Sequence, residues 1–263
     1  AWLGWKLNNK IVIKTRTSFD AGQTWSTTTF IPHAASTYTS ADPSLAFDSN
    51  GNLFLSYIDH SDTPIAGGVY LSKSIDGGLN WGTPVEVINV NADVNQYPID
   101  RPWIGIDNSG GANDGNIYIT TMSPNRVGPT APFHPYFMRS TNSGASFQPY
   151  QYLDATNWLA GNLISQPMPT PAVGANGTFY AVYPSYLVSQ SFFAQYIIAS
   201  STDGGNNFNY NTVFTTSSAA NDSLAKGGYL LRTNPADVNH LAFFYIDNTY
   251  QELDIFMRES LDA

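Results

Sequence analysis

The chain has 263 residues, 42% hydrophobic and 14% aromatic, so a sizeable core can form between the punctuation of 21 glycines and 16 prolines. Only 12% are charged and the net charge is −9, which argues against a nucleic-acid partner, since phosphates need a basic stripe. Zero cysteines exclude disulfides and thiolate metal sites, and no apolar run is long enough to cross a bilayer as a transmembrane helix.

In chain order, short β-branched and aromatic runs alternate with clusters of Gly, Pro, Asn and Asp, and no long helical period intervenes. Residues 2–7, 10–17 and 25–30 read as three strands, and Ala1-Trp2-Leu3-Gly4-Trp5 looks like the inside of a strand, not a leader peptide. Strands follow at 43–48, 53–58, 69–74 and 81–88, then at 102–107, 116–122, 136–140 and 147–153. The rest fall at 170–174, 178–183, 193–200 and 208–214, and at 228–233, 240–246 and 253–259. Labelled A to D outward from a central channel, these are all-β, four-stranded antiparallel blades of a β-propeller, in segments of about 1–33, 42–90, 101–154, 167–216 and 227–263. The first segment lacks an A strand and the last a D strand. The expectation is one propeller domain, an incomplete segment of a six- to eight-bladed ring.

One phrase recurs between the C and D strands of each blade. Its copies are Ser18-Phe-Asp20-Ala-Gly22-Gln-Thr-Trp25, Ser74-Ile-Asp76-Gly-Gly78-Leu-Asn-Trp81, Ser140-Thr-Asn142-Ser-Gly144-Ala-Ser-Phe147 and Ser201-Thr-Asp203-Gly-Gly205-Asn-Asn-Phe208. A fifth begins at Ser260-Leu-Asp262. The Asp or Asn positions lie 56, 66, 61 and 59 residues apart, close to the period of a four-stranded blade. Ser and Asp accept hydrogen bonds from turn amides, Gly takes the positive φ of a tight turn, and the aromatic points back between sheets. That turn chemistry accounts for every position of the phrase without a catalytic aspartate.

The phrase resembles the Asp-box, or bacterial neuraminidase repeat, of sialidases and related β-propellers. Asn142, Phe147 and Phe208 depart from its full form. The resemblance implies a sialidase-like propeller whose boxes lie on the face away from any active site, in a secreted or cell-surface bacterial protein that binds a glycan or a surface protein. It also implies what an enzyme of this kind carries: three arginines on a carboxylate, a Tyr nucleophile helped by Glu, and an Asp acid/base. The Phe/Tyr-Arg-Ile-Pro phrase of the family is absent, and Asp100-Arg101-Pro102-Trp103 only echoes its position. Of six arginines, Arg16, Arg139 and Arg258 sit beside the boxes, leaving Arg101 and Arg126, and less securely Arg232, for a channel-mouth ligand. A non-catalytic binding module is therefore expected, with an exo-acting glycosidase completed by residues elsewhere, or a structural propeller, as alternatives.

A site is expected on the opposite face, among the B to C loops at 59–68, 123–135, 184–192 and 247–252 and the segments leading into each A strand. Candidate ligand-binding residues there are Asp42, Asp100, Arg101, Arg126, His134, Tyr183 and Tyr250, with Asp59, His60, Tyr186, Asp247 and Glu252 also bearing usable chemistry. Each has a plainer role. Asp42 caps a strand, Asp100 and Arg101 brace blades, and tyrosines pack. No cofactor and no metal site are expected: Asp48-Ser-Asn50-Gly-Asn52 and the run from Asp107 to Asn116 offer oxygens at close spacing but lack a downstream bidentate Glu, and the four histidines lack zinc spacing. The sequons Asn176-Gly-Thr178 and Asn221-Asp-Ser223 carry little weight in so Asn-rich a chain.

Overall fold

A computed structural model describes residues 2–5, 10–124, 128–216, 228–247 and 254–262. These residues form strands and turns only, gathered into five antiparallel sheets in which sequence neighbours are sheet neighbours. The first holds β1 (Trp2–Trp5), β2 (Ile11–Thr15) and β3 (Thr29–Phe30). The second holds β4 (Thr39–Phe47), β5 (Leu53–Asp62), β6 (Ile65–Ser74) and β7 (Val85–Asn89). The third holds β8 (Asp100–Ile106), β9 (Ile117–Met122), β10 (Tyr136–Ser140) and β11 (Gln151–Tyr152). The fourth holds β12 (Thr170–Val173), β13 (Phe179–Ser185), β14 (Gln195–Ser201) and β15 (Asn209–Thr215). The fifth holds β16 (Leu230–Asn234), β17 (Asp237–Asp247) and β18 (Asp254–Ser260). The fold is the expected β-propeller of four-stranded antiparallel blades, and none of the described residues forms a helix long and apolar enough to cross a membrane.

The core lies between blades. Ile13 and Ile31 meet Leu55 and Tyr57; Phe54, Val69 and Leu71 meet Ile117, Ile119 and Met138; Tyr118 and Phe137 meet Phe179 and Ile197; Tyr180 and Tyr196 meet Leu231, Phe243 and Tyr245. Strands β9 and β13 are buried along their whole length because a neighbouring blade covers each side, so they read as continuous apolar runs instead of alternating. Polar ties repeat from blade to blade. Ser56 Oγ donates to the Pro102 carbonyl at 2.6 Å, and Thr120 Oγ1, at the same register position one blade on, donates to the Pro169 carbonyl at 3.3 Å.

Two expectations about strand limits change. Residues 59–68 are not a loop: β5 and β6 stay paired out to Asp62 and Ile65, with only Thr63 and Pro64 between them. Gly67 allows this, since a Cβ there would lie 2.3 Å from the Asp59 carbonyl oxygen. Trp81 and Phe147 do not open D strands either. After each turn one hydrogen bond holds the chain, Gly82 N to Lys73 O at 2.8 Å and Gln148 N to Arg139 O at 2.9 Å, and pairing resumes only at Val85 and Gln151. The intervening chain leaves the sheet so that the aromatic ring can wedge against the preceding blade.

Candidate functional site

The four complete phrases form one turn, repeated between β2 and β3, β6 and β7, β10 and β11, and β14 and β15. In the second, Ser74 Oγ donates to Asp76 Oδ1 at 2.7 Å and accepts Gly78 N at 2.8 Å, while Asp76 accepts Asn80 N at 2.9 Å and Asn80 Nδ2 at 2.7 Å. Ser18, Asp20, Gly22 and Thr24 repeat this, as do Ser201, Asp203, Gly205 and Asn207. Asn142 keeps the pattern with one donor reversed: its Oδ1 accepts Ser140 Oγ and Ser146 N, and its Nδ2 donates to Ser146 Oγ, while Gly144 N still reaches Ser140 Oγ. These hydrogen bonds stabilise the ionised carboxylates, holding Asp20 and Asp76 down at about 2 and Asp203 lower still. Trp81 Nε1 reaches back to Thr15 of the first blade, and Phe208 meets Phe137 of the third edge-on at 5.2 Å. The turns are structural.

The inner strands offer the chemistry. By register, Asp42, Arg101, Met168 and Gly228 occupy one position, two residues before Ser44, Trp103, Thr170 and Leu230. Three of the four have positive φ: +47° at Asp42, +51° at Arg101 and +84° at Gly228. For Asp and Arg this is a sparsely populated region, and the strand bulges there, with the pairing shifting between Ala41 and Ser44 and between Asp100 and Trp103. The bulge aims both side chains into one cavity of about 250 Å³ lined by Asp42, Pro43, Arg101, Pro102 and Trp103. Arg101 Nη1 lies 3.5 Å from Met168 Sδ, and the Met168 carbonyl accepts the Tyr229 hydroxyl at 2.6 Å. Burial pushes that phenol well up, against the opposing pull of the Arg101 charge, so it stays a neutral donor.

The other candidates lie elsewhere. Asp100 is buried and accepts Gln166 Nε2 at 3.3 Å. Tyr183 is a correction: it is fully buried, its hydroxyl donates to the Trp158 carbonyl at 2.6 Å, and burial raises its phenol far out of range, so it is core packing and not a ligand contact. His134 is a second correction. Its Nδ1 meets Asp154 Oδ1 at 2.8 Å and its ring stacks 4.0 Å from that of Tyr152 on β11, the outermost strand, so it does not converge on Arg101. Asp59 is likewise bound up, accepting Ser40 Oγ and Ala34 N and meeting His33 Nδ1 at 2.8 Å. Arg126, Tyr250 and Glu252 lie outside the described residues. Trp103 is the contact missing from the sequence-based set; the signal was its place two residues after Arg101 on the same strand.

No protein-family profile matches the chain, and no curated protein matches it. Solved structures do. A protein of unknown function from Dyadobacter fermentans is 18% identical with a TM-score of 0.58, covering 98% of this chain and 69% of its own. The Penicillium chrysogenum α-L-arabinanase complexed with arabinobiose is 15% identical with a TM-score of 0.61, covering 95% of this chain and 71% of its own. The NanB sialidase of Streptococcus pneumoniae is 8% identical with a TM-score of 0.53, and 97% of this chain spans only 57% of that one. At these identities the likeness is one of fold, a sialidase-like propeller.

Proposed function

We propose that this protein is a secreted or cell-surface Asp-box propeller that binds a glycan at the mouth of its channel without hydrolysing it. The observation that carries the reading is the cavity in which Arg101, Asp42 and Trp103 meet between two prolines. An indole face takes the C–H side of a sugar ring, while a guanidinium and a carboxylate take its hydroxyl or acidic groups. Backbone strain held in place at both charged residues supports a binding role, since such conformations concentrate where side chains must be aimed. The fold neighbours named for arabinan and sialic acid chemistry favour a carbohydrate ligand over a protein one.

The non-catalytic part of the reading rests on the lining. Glycoside hydrolysis calls for two carboxylates across the bond, or for a Tyr nucleophile with arginines in the sialidase manner. Among the described residues the cavity lining carries one carboxylate, one guanidinium and no phenol. A glycan array followed by calorimetry tests the proposal. Arg101→Ala is expected to weaken an acidic or polyhydroxylated glycan by about 1.5 to 3 kcal/mol, the worth of a charge-assisted hydrogen bond, and Trp103→Ala to weaken it as well. Unchanged affinity alongside a lowered melting point would make Arg101 a brace only, and turnover of an aryl glycoside would restore the exo-glycosidase reading.

A further inference from the structure

The position that Arg101 holds in the third blade is held in the fourth by Met168, and the two side chains meet, with Arg101 Nη1 3.5 Å from Met168 Sδ. A thioether is a weak acceptor without charge, so this contact locates the guanidinium and does not neutralise it. No ion pair among the described residues includes Arg101. The polar tie between the two blades runs through its neighbour instead, since Asp100 Oδ2 accepts Gln166 Nε2 at 3.3 Å. Arg101 is thus partly buried at the cavity with its charge uncompensated and most of its five N–H groups uncommitted.

Met168 can serve as a stop because its own place is fixed. It is 3% exposed, and its carbonyl accepts the hydroxyl of Tyr229, from the fifth blade, at 2.6 Å. The next carbonyl, that of Pro169, accepts Thr120 Oγ1 of the third blade at 3.3 Å, and Thr170 Oγ1 accepts Leu231 N of the fifth at 3.3 Å. Three consecutive residues are therefore pinned between the blades on either side. A methionine side chain is flexible in the open, but one enclosed on so firm a backbone keeps its sulfur in one place. Of the four residues at this register position, Asp42 and Arg101 are charged and Gly228 has no side chain. Met168 alone combines reach with neutrality.

We propose that Met168, anchored by Tyr229, is the positioning residue for Arg101: it holds the guanidinium at the cavity and leaves the charge for the ligand. This rests on the reading of that cavity as a glycan site, and adds that its preference for an acidic over a neutral sugar is set by an uncharged residue behind the lining.

The first arm of the test needs no ligand. Met168→Glu and Met168→Gln are made in the full chain, each with Arg101 present and with Arg101→Ala, and melting curves are recorded. Only Glu can pair with a guanidinium that has no other partner. With Arg101 present, Met168→Glu is expected to melt about 3 °C or more above Met168→Gln; with Arg101→Ala the order reverses, because the carboxylate is then buried and unpaired. The second arm measures digalacturonate and galactobiose, an acidic and a neutral probe, by calorimetry. The wild type is expected to prefer the acid, Met168→Glu to lose at least about tenfold of that preference, and Tyr229→Phe about threefold.

Equal melting of the Glu and Gln variants on both backgrounds, or a preference for digalacturonate that Met168→Glu leaves intact, would overturn the proposal. If the wild type binds neither probe, the glycan reading falls, and the melting comparison alone decides whether Met168 faces an uncompensated Arg101. Should the Met168 variants fail to fold, phenylglyoxal labelling of the unaltered chain decides: Arg101, with its one soft contact, is expected to react several-fold faster than Arg139, which donates to Gln148, Gly204 and Asn206. An Arg101 that reacts no faster than Arg139 refutes the uncompensated guanidinium.

Discussion

Asp42 and Arg101 stand at the same register position of adjacent inner strands, both in the left-handed region, both directly before a proline, and both lining one cavity. A left-handed L-residue costs about 1 to 2 kcal/mol, and a following proline narrows its choices further. The fifth blade removes the cost by placing Gly228 there. Two blades therefore keep a strained, charged residue where a glycine would fit.

The strain can be measured without any ligand. Glycine fits φ of +47° or +51° and alanine does not, so Asp42→Gly is expected to be more stable than Asp42→Ala by about 1 kcal/mol, and Arg101→Gly than Arg101→Ala by a similar margin. Chemical denaturation of the four variants checks this; equal stabilities within each pair would mean that the backbone relaxes and that no strain is held.

In the repeated turn the serine does as much as the acid. Ser140 is fully buried and its Oγ both accepts Gly144 N at 3.0 Å and donates to Asn142 Oδ1 at 2.8 Å. Ser140→Ala leaves a buried amide unpaired and is expected to cost about 1 to 3 kcal/mol, with glycan binding at the distant channel mouth unchanged. Urea unfolding alongside a binding assay checks both halves, and loss of binding at full stability would contradict the structural role of the turn.

These turns were legible from sequence because their chemistry is local: each donor and acceptor lies within a few residues of its partner, and the spacing repeats. What escaped depends on contacts made across the fold. Residues 59–68, rich in His, Ser, Asp and Thr, read as a loop, yet Gly67 and Gly68 let two strands run on side by side. Tyr183 has the chemistry of a ligand contact, and only the burial of β13 on both faces between two blades turns it into core. Nothing in an arginine announces positive φ, so the bulge at Arg101, and with it the aim of Trp103, appears only once Asp42 and Gly228 are seen to share its place.

Acid sensitivity should follow from the same turns. Asp20 and Asp76 titrate near 2 when folded against an ordinary value of 3.8, chiefly through hydrogen bonds from Thr24 and Asn80, and Asp203 is lowered further through Asn207. A depressed folded pKa stabilises the fold above the unfolded pKa, and that contribution is lost as pH falls from about 4 toward 2. The melting point is expected to drop across this window, and a variant with Asn at positions 20, 76 and 203, as the chain already has at Asn142, should drop less. Parallel slopes for the two proteins would show that other carboxylates govern acid unfolding.

The aromatic that closes each turn provides the last contrast. Trp81 is partly buried against Tyr57 and Leu55 and donates through Nε1 to Thr15 Oγ1 at 3.2 Å, locking the second blade to the first. Trp25 holds the same place in the first turn, but it is 59% exposed and its Nε1 reaches only Gly22 O of its own turn. A buried ring truncated to alanine costs about 3 to 5 kcal/mol, and a partly exposed one less. Trp81→Ala is therefore expected to lose about 2 to 3 kcal/mol and Trp25→Ala under about 1 kcal/mol. Tryptophan fluorescence during denaturation reads the difference directly, since in each variant the remaining indoles report unfolding. Should the two cost the same, the aromatic acts within its own turn and the wedge between blades is not what stabilises the ring.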